Sequence, residues 1–124
     1  IWADNFIKVL SESKIALNLS QGKPSKYYTS DRFAQLIGNG LLVMIDKKTE
    51  YKNFFNNNEI IFYDNIKDLS KKITKYTNND KLRQKIAQNG RNKYFKYFNS
   101  TIIAEFIINR TFNVNKKYYW EKNV

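Results

Sequence analysis

The chain has 124 residues, a length that suits one domain, and its 42% hydrophobic content is enough for a buried core. It contains no cysteine and no histidine, which excludes disulfides, thiolate nucleophiles, the usual zinc sites and a Ser-His triad within this sequence. The net charge of +11 indicates a polyanionic neighbour: nucleic acid, an anionic membrane surface or a phosphate-bearing ligand. Evenly spread lysines are also typical of an ordinary solvated surface.

The sequence has no apolar run long enough to cross a membrane and no signal-peptide pattern. Together with the absence of cysteine, this predicts a cytoplasmic protein, with peripheral contact to a membrane as an option that the charge leaves open. The chain begins at Ile1 and is rich in Lys, Asn and Ile, as expected of a low-G+C genome. We therefore expect a fragment of a longer, prokaryotic protein.

The first half of the chain predicts helix, strand, loop, helix and strand in that order. A helix over 2–10, broken at 11–13, is indicated by apolar residues at helical spacing: Trp2, Phe6, Val9 and Leu10. A strand over 15–19 and a lysine-rich loop over 20–26 follow. Residues 27–44, YYTSDRFAQLIGNGLLVM, then predict a loop, a short helix and a wholly buried strand over 41–45. The spacing of Phe33, Leu36 and Ile37 predicts that one face of this helix is buried. Gly38 and Gly40 predict where the helix ends.

The second half predicts one more strand and three helices. A polar loop over 46–58, which contains one helical turn and a cluster of aromatic residues, precedes a strand over 60–63. A helix over 66–77 follows, with its apolar positions at Ile66, Leu69, Ile73 and Tyr76. The next helix runs from Asp80 to Phe98 with Gly90 as a candidate break, and the last, with Asn99 or Ser100 as its cap, ends near Phe112. Residues 113–124 have no clear period and form either a tail or a segment that packs on a missing part of the protein.

This order of elements predicts an α/β fold, with a small parallel sheet flanked by helices and a helical C-terminal block. Helix starts beside strand ends offer free backbone N–H groups and a positive dipole, an arrangement that suits a diphosphate. We expect Thr29 or Ser30 to cap the short central helix, with Asp31 in its first turn.

Several side chains around that helix start can contact a phosphate-bearing ligand. Thr29 and Ser30 offer hydroxyl donors, and Arg32 offers a planar guanidinium that matches phosphate oxygens. The preceding loop lies at a strand end, so it adds second-rank candidates: Lys23, Lys26 and Tyr27. Ordinary structural roles stay open beside these: Arg32 can pair with Asp31 or Glu50, and Tyr27 and Tyr28 can pack beneath the loop.

Four runs resemble a known family when they are taken together in this order: SKIALNLSQG, YYTSDRFAQLIGNGLLVMID, EIIFYDNIKDLSKKI and NDKLRQKIAQNGRNKYFKYFN. They look like the C-terminal half of a GT-B glycosyltransferase, closest to the CgeB-like, spore-maturation group of the "glycosyl transferases group 1" proteins. The resemblance covers roughly residues 13–112. It implies a Rossmann-like domain over 1–112, followed by a tail over 113–124.

The resemblance implies that the chain holds a nucleoside-diphosphate sugar, the donor in transfer of a sugar to an acceptor. The family pattern E-A-x-A-x-G, laid on Gly40, puts Gln35 where an acid normally binds the donor ribose. Gln35 is uncharged, so it can only exchange hydrogen bonds there, with Tyr28 as a neighbouring nucleotide contact. The resemblance also implies metal-independent chemistry without a further cofactor, a catalytic base on a missing N-terminal domain, and no activity of this chain alone.

Two other classes of function remain as alternatives. A nucleic-acid-binding module would explain the charge and the aromatic residues, but no usual recognition motif is present, so we do not expect this partner. A regulatory α/β interaction domain of the receiver kind would need an acidic cluster at a strand end, which Asp46 alone does not supply.

Overall fold

The computed structural model describes residues 4–122, and Trp2, which the sequence places in the first helix, lies outside this range. The elements are α1 Asp4–Glu12, β1 Ile15–Asn18, α2 Arg32–Gly38, β2 Leu42–Asp46, β3 Ile61–Tyr63, α3 Ile66–Thr77, α4 Asp80–Tyr97 and α5 Ser100–Thr111. The predicted order of helices and strands is therefore confirmed. Strand ends differ from the predicted ones by a single residue.

The three strands form one parallel sheet in the order β1-β2-β3. Ala16 lies opposite Val43, and Ile45 lies opposite Phe62. In β2, the central strand, the side chains from Leu42 to Ile45 are at most 1% exposed, as expected of a strand covered on both faces. The carboxyl ends of all three strands lie at the same edge of the sheet.

Helices cover both faces of the sheet, which gives the α/β, Rossmann-like architecture that the sequence predicts. On one face, Val43 and Ile45 pack with Phe33, Leu36 and Ile37 of α2. On the other, the side chains of Leu42 and Met44 pack with apolar residues of α3 and α4, namely Leu69, Ile73, Tyr76, Ile86 and Ala87. Successive residues of β2 thus face opposite layers.

The short helix α2 ends where the sequence predicts, at the glycine pair. Asn39 follows as the cap residue, and Gly40 has a φ of 77°, a backbone conformation that glycine adopts without strain. Arg91 of α4 donates a hydrogen bond from Nε to the Gly38 carbonyl at 2.9 Å. A long-range contact therefore satisfies one of the free carbonyls at the end of α2.

Four local predictions need correction. The first helix continues through Ser11 to Glu12, because the Ser11 hydroxyl bonds back to the Lys8 carbonyl instead of ending the helix. The loop after β2 contains two 3₁₀ turns, Lys47–Thr49 and Tyr51–Asn53, where one turn was expected. Ile66 lies 83% exposed at the start of α3, not on its buried face.

Gly90, the fourth correction, does not break α4, which runs through it. A Cβ at this position would lie 2.2 Å from the carbonyl oxygen of Glu59. The residue is glycine because the helix backbone lies directly against the turn that enters β3. The contact brings α4 close enough for Lys93 to pair with Glu59 at 2.8 Å.

The C-terminal block consists of α5 and the segment that follows it. Asn99 caps α5, since its side chain accepts a hydrogen bond from the Ile102 N–H at 3.0 Å. The following segment packs back on the helices through aromatic stacking, with Tyr119 on Tyr97 at 4.2 Å and Trp120 on Phe98 at 5.7 Å between ring centroids. None of the described helices is long and apolar enough to span a bilayer.

Candidate functional site

Two adjoining cavities open at the edge where the three strands end, and we refer to them together as the strand-end groove. The larger, about 650 Å³, is lined by Leu19, Ser20, Gly22, Pro24, Asp46, Lys48, Tyr63, Asp64, Asn65, Ile66 and Lys67. The smaller, about 470 Å³, is lined by Leu17, Leu19, Ser20, Gln21, Tyr28, Ser30, Asp31 and Arg32. Leu19 and Ser20 belong to both. Each volume lies in the range typical of small-molecule sites, and the carboxyl edge of a parallel sheet is where such sites usually form.

Three of the predicted site residues, Tyr28, Ser30 and Arg32, come together in the smaller cavity. Within the described part of the chain, the Arg32 guanidinium has no carboxylate at ion-pair distance. The two acids expected to pair with it are engaged elsewhere. Glu50 binds Lys26 at 3.3 Å, and the Asp31 carboxylate accepts the backbone N–H of Arg32 at 3.0 Å. The guanidinium therefore remains available to a ligand.

The expected cap of α2 by Thr29 or Ser30 is wrong, because Asp31 is the cap residue. The Ser30 hydroxyl instead donates to Asn18 Oδ1 at 2.9 Å, and the Thr29 hydroxyl lies 3.1 Å from the Tyr51 hydroxyl. Both hydroxyls are engaged by residues distant in sequence, a competition that local cap rules do not capture. In this arrangement Ser30 can accept a hydrogen bond from a ligand, since its own hydrogen is already donated.

Asn18, which the sequence reasoning missed, lies at the carboxyl end of β1. Its side chain is only 2% exposed, and its Nδ2 has no hydrogen-bond partner among the described residues. A buried amide that lacks a partner is costly, and such groups are few in native proteins. A polar residue ending an otherwise apolar strand was the available signal for it.

The remaining predicted residues lie outside the smaller cavity. Gln35 is on the exposed side of α2 and lines neither part of the groove, and Lys23 is exposed on the loop. The hydrogen bond and charge of Glu50 raise the pKa of Lys26, whose ammonium also lies 4.8 Å from the centre of the Tyr27 ring. Tyr27 itself faces away from the groove, and its ring contacts Phe54 at 5.2 Å.

The larger cavity brings in residues from the ends of β2 and β3 that the sequence reasoning did not propose. Asp46 and Tyr63 are register partners at these ends, and burial, followed by the negative charge of Asp46, raises the pKa of the Tyr63 hydroxyl. Exposed Ile66 and Lys67 form the rim at the start of α3. The signal for these residues was the rule that parallel strands end at one edge of a sheet, which places the ends of β2 and β3 beside the end of β1.

In the described part of the chain, no three acidic side chains lie close enough together to hold a metal ion. The groove combines three basic side chains, from Arg32, Lys48 and Lys67, with three aspartates, Asp31, Asp46 and Asp64. Side-chain amides and apolar surface from Leu19, Pro24 and Ile66 complete its lining. An anionic group therefore fits only next to a basic side chain, and a flat, partly apolar group fits next to Ile66.

Comparison with known proteins identifies the family. A model of the glycosyl transferase-like family matches residues 1–109. No curated protein and no solved structure matches the chain. Since the match takes in most of the sequence, the chain belongs to the glycosyl transferase-like family and is a glycosyltransferase domain.

Proposed function

We propose that this chain is the nucleotide-sugar-binding half of a GT-B glycosyltransferase and that a nucleoside-diphosphate sugar binds in the strand-end groove. The observation that carries the proposal is the free Arg32 guanidinium in the wall of a cavity at the carboxyl edge of a parallel sheet. A planar guanidinium binds phosphate oxygens through two parallel hydrogen bonds. The family match supports the sugar-transfer chemistry.

In this proposal the diphosphate lies in the smaller cavity against Arg32. Asp31 lines the same wall, and its charge opposes an anion, so binding depends on the guanidinium to offset it. Ser30 accepts a hydrogen bond from a hydroxyl of the nucleotide sugar, and the ring of Tyr28, 46% exposed, covers the ribose or the transferred sugar. Gln35 lines neither cavity, so we assign the contacts to the nucleotide sugar to Tyr28, Ser30 and Arg32.

The nucleoside extends into the larger cavity. Exposed Ile66, with Pro24 and Tyr63, offers an apolar surface on which a flat base can pack. Asn65 and the strand-end backbone offer hydrogen-bond groups for the edge of the base. This assignment explains why an isoleucine stands 83% exposed at a helix start, where its burial by a ligand would be favourable.

During transfer, a nucleophilic group of the acceptor forms a bond to the sugar and gives its proton to the catalytic base. The bond from the sugar to the diphosphate breaks, and negative charge develops on the leaving diphosphate. Arg32 stabilises that charge, a role that basic side chains perform without a metal ion. The acceptor pocket and the catalytic base belong to an N-terminal domain of the longer enzyme. By itself, this chain binds the donor weakly and does not catalyse transfer.

The test is a calorimetric titration of the chain with UDP, GDP and UDP-sugars. We expect saturable binding that distinguishes the two bases, and a loss of about 10-fold to 100-fold in affinity for Arg32→Ala, the effect of one charge-assisted contact. Arg32→Lys should recover only part of it, because an ammonium lacks the planar pair of donors.

The matched control is Lys85→Ala, which removes the same charge from an exposed site on α4 outside the groove. It should bind nucleotides like the unsubstituted chain. Equal losses in Arg32→Ala and Lys85→Ala would show that only net charge matters, and would overturn the assignment of the diphosphate to Arg32.

A further inference from the structure

A second pocket, separate from the strand-end groove, lies between α2, the 3₁₀ turn Tyr51–Asn53, α4, α5 and the C-terminal segment. Its volume is about 240 Å³, and we call it the aromatic pocket. It is lined by eight aromatic residues and one isoleucine: Tyr27, Phe33, Tyr51, Phe54, Phe55, Tyr94, Phe98, Trp120 and Ile103. It shares no lining residue with the groove.

The walls of the aromatic pocket are held in place by one another. Phe33 and Phe55 are 6% and 2% exposed and belong to the core. Phe33 meets Tyr51 edge to face at 5.4 Å between ring centroids, and Phe55 stacks on Phe98 at 5.2 Å. Rings packed in this way have little freedom to turn into the space, so the pocket exists before any ligand enters.

The backbone conformation of Tyr27 also indicates that the wall of the aromatic pocket is fixed. Its φ is 60°, in the left-handed region that residues with a side chain rarely adopt. Both ends of the residue are fastened: its N–H donates to the Thr49 carbonyl at 2.8 Å, and its hydroxyl accepts from Asn53 Nδ2 at 2.9 Å. The turn would be easier with glycine, but glycine would remove the ring from the wall. Strained residues held in this way cluster at binding sites.

The chemistry of the lining selects the ligand. Among the residues that the structure describes, no charged side chain lines the pocket, and the hydroxyls of Tyr27 and Tyr51 already have partners. Burial raises the pKa of Tyr51 and of Tyr94, so these walls remain neutral. Lys26 lies over the Tyr27 ring and Lys93 over the Phe55 ring, and these two ammonium groups pair with Glu50 and Glu59. A cationic guest would therefore lose its hydration with no free carboxylate at these rings to offset its charge.

We propose that the aromatic pocket binds one small, neutral, planar aromatic molecule, at a site distinct from the strand-end groove. An apolar cavity of about 150 Å³ accommodates benzene, so a pocket of about 240 Å³ has room for a bicyclic ring such as indole. Edge-to-face contact with the surrounding rings favours a planar aromatic guest over an aliphatic one of the same volume.

The experiment titrates the chain with indole and follows the isoleucine methyl signals by NMR. We expect saturable binding of one indole, with the Ile103 methyl signals shifting because this residue lines the pocket. Ile107, one turn further along α5, is 58% exposed and does not line it, so its signals should not move. Tryptamine, which adds an ammonium to the same ring, should bind at least 10-fold more weakly.

Two matched variants localise the binding. Ile103→Trp places a large ring at the rim, where the residue is 37% exposed, and should fill the space and weaken indole binding 10-fold or more. Ile107→Trp adds the same ring outside the pocket and should leave binding unchanged. The proposal fails if indole does not saturate, if Ile107 responds instead of Ile103, or if Ile103→Trp binds indole as the unsubstituted chain does. The NMR shifts decide the question without Ile103→Trp if that variant does not fold.

Discussion

At the scale of single residues, Gly90 shows how one missing Cβ can fix the distance between two elements. We predict that Gly90→Ala destabilises the chain by about 1–3 kcal/mol, because the new Cβ would meet the Glu59 carbonyl at 2.2 Å and push α4 away from β3. Alanine has the better helix propensity, so the sign of the effect is informative. Urea denaturation measures it.

Gly38→Ala is the matched control for this prediction. Its Cβ would meet only the Phe95 ring, at 3.8 Å, an ordinary van der Waals contact. We expect this variant to be neutral or more stable by up to about 1 kcal/mol, since alanine restricts the unfolded chain. If both alanine variants were equally stable, the close approach of α4 to Glu59 would not be present in solution.

The roles of Asn18, Ser30 and Arg32 could be predicted from the sequence to different extents. Arg32 was predicted as a phosphate contact from its guanidinium and its place near a helix start. The pairing of Ser30 with Asn18 was not predicted, because the two residues are 12 positions apart and meet only when β1 and the start of α2 come together. That pairing changes the hydrogen-bond role that Ser30 can offer to a ligand.

At the scale of elements, the start of α3 depends on a network around Asp68. Asn65 caps the helix by accepting the Asp68 N–H at 3.0 Å. The Asp68 carboxylate accepts hydrogen bonds from Lys72 Nζ at 2.7 Å and from the Asp64 N–H at 3.0 Å. Lys72 also donates to the carbonyl of Phe62 at 2.7 Å, which joins the helix to β3.

This network predicts a dependence of stability on pH. The hydrogen bond from Lys72, followed by that from the Asp64 backbone, lowers the pKa of Asp68 below its usual value. The folded state therefore binds this proton less readily than the unfolded state does, and the stabilisation is complete above about pH 4 and lost as the pH falls through the lowered pKa.

We expect Asp68→Asn to be less stable than the unsubstituted chain at pH 7, with the difference narrowing on acidification below about pH 4. Urea denaturation at a series of pH values measures this. Glu12→Gln is the control, since it also removes one negative charge but alters an exposed residue at the end of α1. A difference that stayed constant down to low pH would contradict the role assigned to the Asp68 carboxylate.

At the scale of the whole molecule, the net charge of +11 acts on any polyanion, independently of the strand-end groove. We predict that affinity for a single-stranded oligonucleotide falls steeply, by roughly 10-fold or more between 50 and 200 mM salt, because many phosphates are released together. Affinity for a nucleoside-diphosphate sugar should fall less, because only one diphosphate is engaged. Titrations at the two salt concentrations measure both, and equal losses would favour general charge attraction over a defined nucleotide site.

The sequence alone determined the order and kind of the elements. Helical periodicity, a continuous apolar run in β2 and the Gly38–Gly40 stop are local signals, and each sets the backbone within a few residues of where it occurs. These signals were enough to predict a parallel sheet flanked by helices. The resemblance in the four runs predicted a glycosyltransferase, and the family match confirms this at the level of the glycosyl transferase-like family, while the CgeB-like group stays a prediction. Composition also determined the charge and the absence of histidine and cysteine.

Only the tertiary structure decided which of these elements meet and what forms between them. The groove joins the ends of three strands, the aromatic pocket joins residues as distant as Tyr27 and Trp120, and α4 passes Gly90 because of Glu59. Asp31 caps α2 because Ser30 and Thr29 are engaged by residues from other segments. Such contacts depend on packing between segments far apart in the chain, for which spacing along the sequence carries no signal.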